Sequence, residues 1–378
     1  MAKRRGNGEG TLYRRKDGRW EGRYTVQTPS GPKRRTLYGR TRQEAATRLT
    51  KALAAADGNL VFDDEDLTVG AYLKRWLNDS VQGDVAHRTY HSYLYHVGHH
   101  IAPALGRTKL KNLSPMQIQG LYRSKLDGGY APSTVRYTHA VLNRALKQAL
   151  RWGLVPRNAA EAVDPPKVRR EEVTALTPDQ VRALLRAADG ERLEALFVLA
   201  VYTGLRQGEL LALRWSDVDL ASGKLRVSRQ LQRTRDRKGL VFTQLKNAKM
   251  RRTIRVGGAA VEALRAHRAR QAEEKLKAGP HYRDLGLIFA THAGTPLDAS
   301  NVVNRSLKPL LSRAGLPPVR FHDLRHSCAT LLLSAGVQPK VVQERLGHAN
   351  IAMTMDVYSH VMPDLQESAA AALEAALE

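Results

Sequence analysis

The stretch Thr203-Gly-Leu-Arg-Gln-Gly-Glu-Leu-Leu-Ala-Leu-Arg-Trp-Ser-Asp-Val-Asp219 places Arg206 at the head of an apolar run. A second stretch, Phe321-His-Asp-Leu-Arg-His326, carries a histidine and an arginine three residues apart. Farther along the chain, His348 precedes Tyr358 by ten residues. Arginine, histidine and tyrosine are the side chains that a metal-free attack on a phosphodiester requires.

The chemistry of that attack explains why each residue type is needed. A phosphodiester is an anion, so guanidinium groups must neutralise its non-bridging oxygens, and Arg206 and Arg325 are the candidates. A tyrosine hydroxyl ionises near pH ~10 and needs help to lose its proton, while the departing ribose oxygen needs a proton delivered to it. A histidine and a lysine suit those two tasks. The pattern therefore predicts an enzyme that cleaves DNA strands.

The same segments resemble the two sequence boxes of the tyrosine recombinase, or phage integrase, family. Residues 203–219 are similar to the first box, and residues 321–360 are similar to the second. The resemblance implies that Arg206 and Arg325 form the catalytic arginine pair and that Tyr358 is the nucleophile. It also implies that His322 is the histidine of the HxxR motif and that His348 occupies the His/Trp position.

A lysine and two carboxylates complete the set that the resemblance implies. The family carries its lysine in a β-hairpin between the boxes, and Leu245–Val256 resembles that hairpin. Lys246 is the first choice for the catalytic lysine, and Lys249 is the alternative. Glu209 and Asp323 are expected to support the catalytic side chains instead of contacting DNA.

The implied mechanism needs no cofactor. Tyr358 attacks one strand, forms a 3′-phosphotyrosyl link and releases a 5′-hydroxyl, which then attacks the corresponding link on a partner duplex. The energy of the bond stays in the ester. The sequence agrees with this expectation, because it has no phosphate-binding loop of the nucleotide-hydrolysing type and no tight carboxylate cluster near the boxes for paired magnesium ions.

Two groups of histidines raise the alternative of a metal site. His322 and His326 have the spacing that presents two imidazoles to zinc on a helix, but Asp323 stands where the zinc-protease motif has glutamate, and no third ligand is evident nearby. A second group lacks cysteine or carboxylate companions, which favours a solvated or DNA-facing helix over a metal site. It consists of His87, His91, His96, His99 and His100, interleaved with Tyr90, Tyr93 and Tyr95.

Composition points to a nucleic-acid partner on separate grounds. The formal net charge is +25 over 378 residues, an excess that favours binding to polyanions, although ribosomal and chromatin proteins share it. The single cysteine, Cys328, lies in an apolar stretch and is expected in the core of a protein from a reducing compartment. No apolar run approaches the ~20 residues of a membrane span, and the N-terminus lacks the apolar segment of a signal peptide. We expect a soluble protein of the bacterial host cytoplasm, associated with the nucleoid.

The chain is expected to be multidomain, mainly α with small β-sheets. The predicted division is an arm-type DNA-binding domain at 1–58, an acidic linker at 59–66, an all-helical, SAM-like core-binding domain at 67–162, a linker at 163–176 and a mostly helical catalytic domain with a C-terminal tail helix at 177–378. The helical domain alone would also fit a generic helical bundle, so its assignment depends on the neighbouring boxes.

The arm domain is predicted from charge and from strand signals. Residues 1–58 contain 15 Lys/Arg against 5 Asp/Glu, and Asp17-Gly18 is a hairpin signal. The sequence predicts a three-stranded sheet, with Trp20 and Tyr24 on one face, backed by a helix at Thr41–Ala56. Such a sheet is able to enter a major groove, and the candidate DNA contacts are Arg19, Arg23, Lys33 and Arg35.

Helix starts and strands elsewhere are predicted from local signals. The predicted helix starts are Thr68, Ser114-Pro115, Ser133 and Thr177-Pro178, and the predicted strands of the catalytic domain are 224–230, 241–245, 252–256 and 287–290.

The overall expectation is a site-specific recombinase, the integrase of a phage or integrative element. It would act on double-stranded DNA at core and arm attachment sites, as a homotetramer on synapsed DNA and as a monomer or weak oligomer when free. A host DNA-bending factor and an excisionase would assist it. One alternative is a chromosome-dimer-resolving recombinase, which the arm domain disfavours. The other is a non-catalytic architectural DNA-binding protein, which would have no need for Tyr358.

Overall fold

The structure is a computed structural model. It describes residues 10–28, 31–57, 66–168, 175–234, 239–245, 250–355, 374 and 377. The chain divides into two compact units, Met1–Arg170 and Glu171–Glu378, and each unit is described by itself. The predicted boundaries of three domains stay a prediction.

The N-terminal part of the first unit is the predicted sheet with a helix against it. The strands β1 (Thr11–Arg14), β2 (Trp20–Thr28) and β3 (Gly31–Gly39) form an antiparallel sheet in the order β1-β2-β3, and the helix is α1 (Arg42–Asp57). The β1–β2 turn lies at Asp17-Gly18, as predicted, and the Asp17 carboxylate accepts hydrogen bonds from the backbone and guanidinium of Arg19.

The register of the sheet decides which side chains α1 covers. A Cβ on Gly39 would lie 2.6 Å from the backbone nitrogen of Ala45, so this position faces α1. Trp20 pairs with Gly39 and shares that face, whereas Arg23 lies on the opposite, open face. Arg35, one of the predicted DNA contacts, is four residues from Gly39 and therefore lies on the face that α1 covers.

The second part of the first unit is helical. Its helices are α2 (Val69–Trp76), α3 (His87–His96), α4 (Ala102–Leu105), α5 (Pro115–Asp127) and α6 (Pro132–Arg151), with π-helical turns at Leu77–Val81 and Val97–Ile101 and 3₁₀ turns at Leu110–Asn112 and Ala159–Ala162.

Local capping starts these helices. The Thr68 hydroxyl accepts a hydrogen bond from the Ala71 backbone, and Ser114 forms a capping box with Gln117. The long helix begins at Pro132, one residue before the predicted start, because proline suits the first helical position. The apolar residues of this helix are mostly buried, among them Val135, Val141, Leu142 and Leu146, but Leu150 is exposed.

The second unit surrounds an apolar helix. Its helices are α7 (Pro178–Ala188), α8 (Glu194–Thr203), α9 (Gln207–Leu210), α10 (Gly258–Ala278), α11 (Ala299–Val302), α12 (Lys308–Arg313), α13 (Phe321–Ser334) and α14 (Pro339–Leu346), with a π-helical turn at Val303–Leu307 and 3₁₀ turns at Trp215–Asp217 and Gly279–His281. Residues 195–201 of α8 are all buried, so α8 forms the centre of the core.

The strands of the second unit form two small sheets. They are β4 (Val218–Asp219), β5 (Lys224–Val227), β6 (Arg229–Thr234), β7 (Gly239–Gln244) and β8 (Arg252–Arg255), in the orders β4-β5-β8 and β6-β7. The prediction of one strand over 224–230 was wrong, because the chain leaves one sheet after Val227 and enters the other at Arg229. The predicted strand at 287–290 is also wrong, since Leu287 and Ala290 form only isolated bridges.

The described helices include none with both the length and the apolar character that crossing a membrane requires.

Candidate active site

Arg206 is placed by the end of the central helix. Helix α8 ends at Gly204, and Arg206 is the residue that immediately precedes α9. Its guanidinium donates to Glu209 Oε1 at 2.9 Å, its backbone N–H donates to Glu209 Oε2 at 3.1 Å, and its second terminal nitrogen lies 3.4 Å from the Gly347 carbonyl oxygen. Glu209 is only 1% exposed, so the acidic partner of Arg206 is fixed inside the protein.

Arg325 lies in the second turn of α13 and is 3% exposed. Its Nη1 donates to the Gly204 carbonyl oxygen at 2.8 Å, whereas its Nη2 has no hydrogen-bond partner among the residues that the structure describes. Burial, followed by the charge of Arg206, lowers the pKa of Arg325 from its usual range. A buried cation beside a second cation, with a free donor, is an arrangement that an anion would stabilise.

His322 lies one turn before Arg325. Although the residue is exposed overall, loss of water around its ring, followed by the charges of His326 and Arg325, lowers the pKa of His322 to about 4. The imidazole is therefore neutral at pH 7 and able to accept a proton. The His322 and His326 rings meet edge to face, with their centroids 4.9 Å apart.

No metal cluster is evident around this histidine pair. Within the described ranges, no group of three or more His, Cys, Asp or Glu side chains is placed to hold a metal ion.

His348 follows the end of α14 and is held by a threonine. Helix α14 ends at Gly347, and Nδ1 of His348 lies 2.9 Å from the Thr354 hydroxyl oxygen, which leaves Nε2 for another partner. Burial, followed by the charges of Arg325 and Arg206, lowers the pKa of His348 to about 3. The ring is therefore neutral at pH 7, and both arginines are close enough to affect it.

Asp323 stabilises the start of the helix that carries His322 and Arg325. Its carboxylate accepts the Arg320 backbone N–H at 2.7 Å and the Arg320 guanidinium at 2.9 Å. It is 4% exposed, and although burial acts in the opposite direction, the hydrogen bonds from Arg320 lower its pKa. The carboxylate thus caps the positive end of α13.

Two predicted catalytic residues and one alternative lie in segments that the structure does not describe. Lys246, its alternative Lys249 and the nucleophile Tyr358 lie outside the described residues. The structure therefore brings Arg206, Arg325, His322 and His348 into one neighbourhood, and the contribution of the lysine and the tyrosine stays a prediction.

The predicted DNA contacts of the sheet have different surroundings. Arg19 is exposed and pairs with Asp17, and Arg23 pairs with Glu21 at 2.6 Å. The side chain of Lys33 lies outside the described part of the chain.

Sequence reasoning missed some residues that the structure brings forward. Thr354 holds His348, and Arg252 binds the far side of Glu209 at 3.0 Å. In the sheet, Arg34 pairs in register with Thr25 and is an exposed arginine of the open face. Alternation along β3 places Arg34 and Arg35 on opposite faces, but only the position of α1 shows that Arg34 is on the open one, and no sequence signal marked the other two residues.

Comparison with known proteins identifies the family. The sequence profile of the phage integrase family matches residues 174–364. A second profile, described as the phage integrase N-terminal SAM-like domain, matches residues 68–126. The chain belongs to the phage integrase family. It is a tyrosine-type site-specific recombinase, as predicted.

Two relatives match nearly the whole recombinase. A protein described as tyrosine recombinase XerC-like, from Caldanaerobacter subterraneus subsp. tengcongensis, is 33% identical over 89% of this chain and 90% of its own length. An integrase from Streptomyces ambofaciens is 30% identical over 98% of this chain and 97% of its own length. The matches favour the predicted site-specific recombination function, and they do not favour the chromosome-dimer-resolving alternative over an integrase.

A solved structure confirms the fold. The Tn1549 transposon integrase in complex with transposon right end DNA superposes with a TM-score of 0.70 at 22% sequence identity, over 82% of this chain and 100% of that chain. The recombinase has the predicted fold, mostly helical with small antiparallel sheets.

Proposed function

We propose that Arg206 and Arg325 bind the scissile phosphate of double-stranded DNA. The observation that carries this assignment is the buried Nη2 of Arg325, a donor without a partner among the described residues, on a side chain next to a second guanidinium. Two cations with a free donor suit the developing negative charge of a phosphoryl transition state. The solved complex of the Tn1549 integrase with DNA agrees with this partner.

The remaining catalytic residues complete the transfer. Tyr358 Oη attacks the phosphorus, the P–O5′ bond breaks, and the 3′-phosphate becomes a phosphotyrosine ester. The neutral imidazole of His322 accepts the tyrosine proton, and Lys246 donates a proton to the departing O5′. His348 donates a hydrogen bond to a non-bridging oxygen through Nε2, because Thr354 engages its Nδ1.

Strand exchange sets the number of subunits. Joining two duplexes to new partners requires four strand cleavages, and each chain supplies one Tyr358. The active assembly is therefore a homotetramer on two synapsed duplexes, built from chains that are monomeric or weakly associated when free. The reaction integrates a phage or mobile element in the cytoplasm of a bacterial host, and a DNA-bending factor and an excisionase control its direction.

The rest of the chain holds the DNA. Residues 1–58 bind arm sites through Arg19 and Arg23 on the open face of the sheet, with Lys33 and Arg34 as additional contacts, and residues 67–162 bind the core site. The acidic segment 59–66 and the segment 163–176 link these domains to the catalytic domain at 177–378.

The test is covalent trapping on a nicked suicide substrate that carries the element's attachment site. In buffer with EDTA, the wild-type protein should form an adduct that Tyr358→Phe abolishes while DNA affinity stays unchanged. Tyr202→Phe is the matched control, because Tyr202 is 42% exposed and has no role in the proposed chemistry. An adduct that survives Tyr358→Phe, or that requires added metal, would overturn the proposal, and no adduct at all would favour an architectural protein.

A further inference from the structure

All three guanidinium nitrogens of Arg252 donate hydrogen bonds inside the protein. It is the first residue of β8, and its side chain is 7% exposed. Nε donates to the Arg345 carbonyl oxygen at 2.7 Å, Nη1 to the Met250 carbonyl oxygen at 3.0 Å, and Nη2 to Glu209 Oε2 at 3.0 Å. Each nitrogen of the group therefore has a defined acceptor.

The three acceptors belong to separate segments that border the site. Glu209 binds Arg206 with its other carboxylate oxygen. Met250 lies two residues before Arg252, just ahead of β8. Arg345 is in the last turn of α14, just before the turn that leads to His348. One side chain thus ties together segments that are far apart in the sequence.

The turn before His348 packs directly against Arg252. Gly347 has a φ of +67°, and a Cβ at this position would lie 2.8 Å from Nη1 and 3.1 Å from Cζ of Arg252. Both the left-handed conformation and the approach of the guanidinium therefore require glycine here. The carbonyl oxygen of the same Gly347 is 3.4 Å from Arg206 Nη2, so the turn lies between the two arginines.

Charge explains why an arginine occupies this place. Burial opposes ionisation of Glu209, but the charge and hydrogen bond of Arg252, followed by the charge of Arg206, have a larger effect and lower the pKa of the carboxylate. The ionised Glu209 is therefore shared by two guanidinium groups, of which Arg206 faces the substrate in the proposed reaction. A lysine would supply the charge, but it lacks the planar fork that reaches three acceptors at once.

From these contacts we infer that Arg252 is a positioning residue for strand cleavage, which orients Arg206 through Glu209 at the place where the Gly347-His348 turn packs between the two arginines. The inference depends on the proposed role of Arg206 as a phosphate ligand. Arg252 itself does not touch the DNA, and its effect on the reaction passes through Glu209.

Single-turnover cleavage of the suicide substrate separates positioning from folding. The amplitude of adduct formation reports the active fraction, whereas the rate constant at saturating DNA reports the chemical step. Arg252→Lys should lower the rate constant about 100-fold, because a misplacement of about 1 Å has that effect, while the amplitude and the DNA affinity stay near wild type. Arg252→Met should behave in the same direction and serves as the second variant.

Arg192→Lys is the matched control. Arg192 is also partly buried, pairs with both oxygens of Glu274 at 2.6 and 2.8 Å, and donates to the Ala290 carbonyl oxygen at 2.8 Å. It is not part of the proposed site, so its substitution should lower the unfolding temperature and leave the cleavage rate constant unchanged. If Arg252→Lys also lowers only the unfolding temperature or the amplitude, Arg252 is structural and the inference is wrong.

A double-mutant cycle tests the route through Glu209. If Arg252 acts through this carboxylate, adding Arg252→Lys to Glu209→Gln should slow cleavage by less than about threefold beyond Glu209→Gln alone. Fully additive effects would overturn the inference. An absence of adduct with the wild-type protein would instead refute the proposed function itself, so the two failures are distinguishable.

Discussion

Replacing Arg325 with methionine should stabilise the free protein and remove strand cleavage at the same time. The side chain is 3% exposed, and its Nη1 donates to the Gly204 carbonyl oxygen, whereas its Nη2 has no hydrogen-bond partner in the described part of the chain. A buried charge with a free donor is unfavourable for folding, whereas methionine of similar length fills the space without a charge. The residue is therefore retained for its phosphate and not for stability.

The magnitude follows from the pKa of Arg325, which burial lowers from its usual range to about 9. A basic group whose pKa is lower in the folded protein than in the unfolded chain destabilises the folded state at any pH below the folded pKa. For Arg325 at pH 7 this destabilisation is roughly 5 kcal/mol. Loss of the charged hydrogen bond to Gly204 costs about 2–3 kcal/mol. Arg325→Met should therefore stabilise the protein by about 2 kcal/mol, which raises the unfolding temperature by roughly 4–8 °C for a unit of this size.

Calorimetry of the full chain measures the stability, and the suicide substrate measures cleavage. Arg192→Met is the control, because it removes the guanidinium that pairs with both oxygens of Glu274 and should lower the temperature of the same unfolding transition. Cleavage by Arg325→Met should fall by about 1,000-fold or more, as for loss of a transition-state donor. A lower unfolding temperature for Arg325→Met, or cleavage near the wild-type rate, would refute the reasoning.

Three further predictions concern other parts of the chain. Thr354→Val removes the hydrogen bond to His348 Nδ1 and should slow single-turnover cleavage about tenfold with unchanged DNA affinity; an unchanged rate would contradict the role of Thr354. Burial, followed by the charge of His100, lowers the pKa of His96 to about 4. The stability that the neutral His96 contributes is therefore present above pH 6.5 and is lost as the pH falls toward 4. Urea unfolding at several pH values should show this loss of stability, and His96→Gln should make the loss smaller. Arg34→Ala should weaken binding to arm-site DNA and reduce the slope of log affinity against log salt concentration by about 1, whereas Arg35→Ala should change neither. Equal effects of the two substitutions in a salt titration would contradict the placement of Arg34 on the open face and Arg35 on the covered face.

Features that depend on neighbouring residues were predictable from the sequence. The hairpin at Asp17-Gly18 and the helix starts at Thr68, Ser114 and Thr177 are as predicted, because each depends on side chains within three residues. The family and the fold were also recognisable from the two boxes, since the motif spacing reflects which side chains must meet at the phosphate.

Features that depend on distant partners were not predictable. The chain is extended on both sides of Ser228, and only its pairing shows that β5 joins β8 while β6 joins β7. The contacts of Arg252 likewise join residues 43 and 93 positions away, and neither separation leaves a periodic signal in the sequence. For the same reason the face occupied by Arg35 became clear only from the position of α1.

The most direct measurement of the central claim is mass spectrometry of the trapped protein–DNA adduct after digestion with protease and nuclease. The account predicts one modified peptide, with a nucleotide attached through its 3′-phosphate to Tyr358, formed in the presence of EDTA. A nucleotide on another residue, or attachment through a 5′-phosphate, would contradict it.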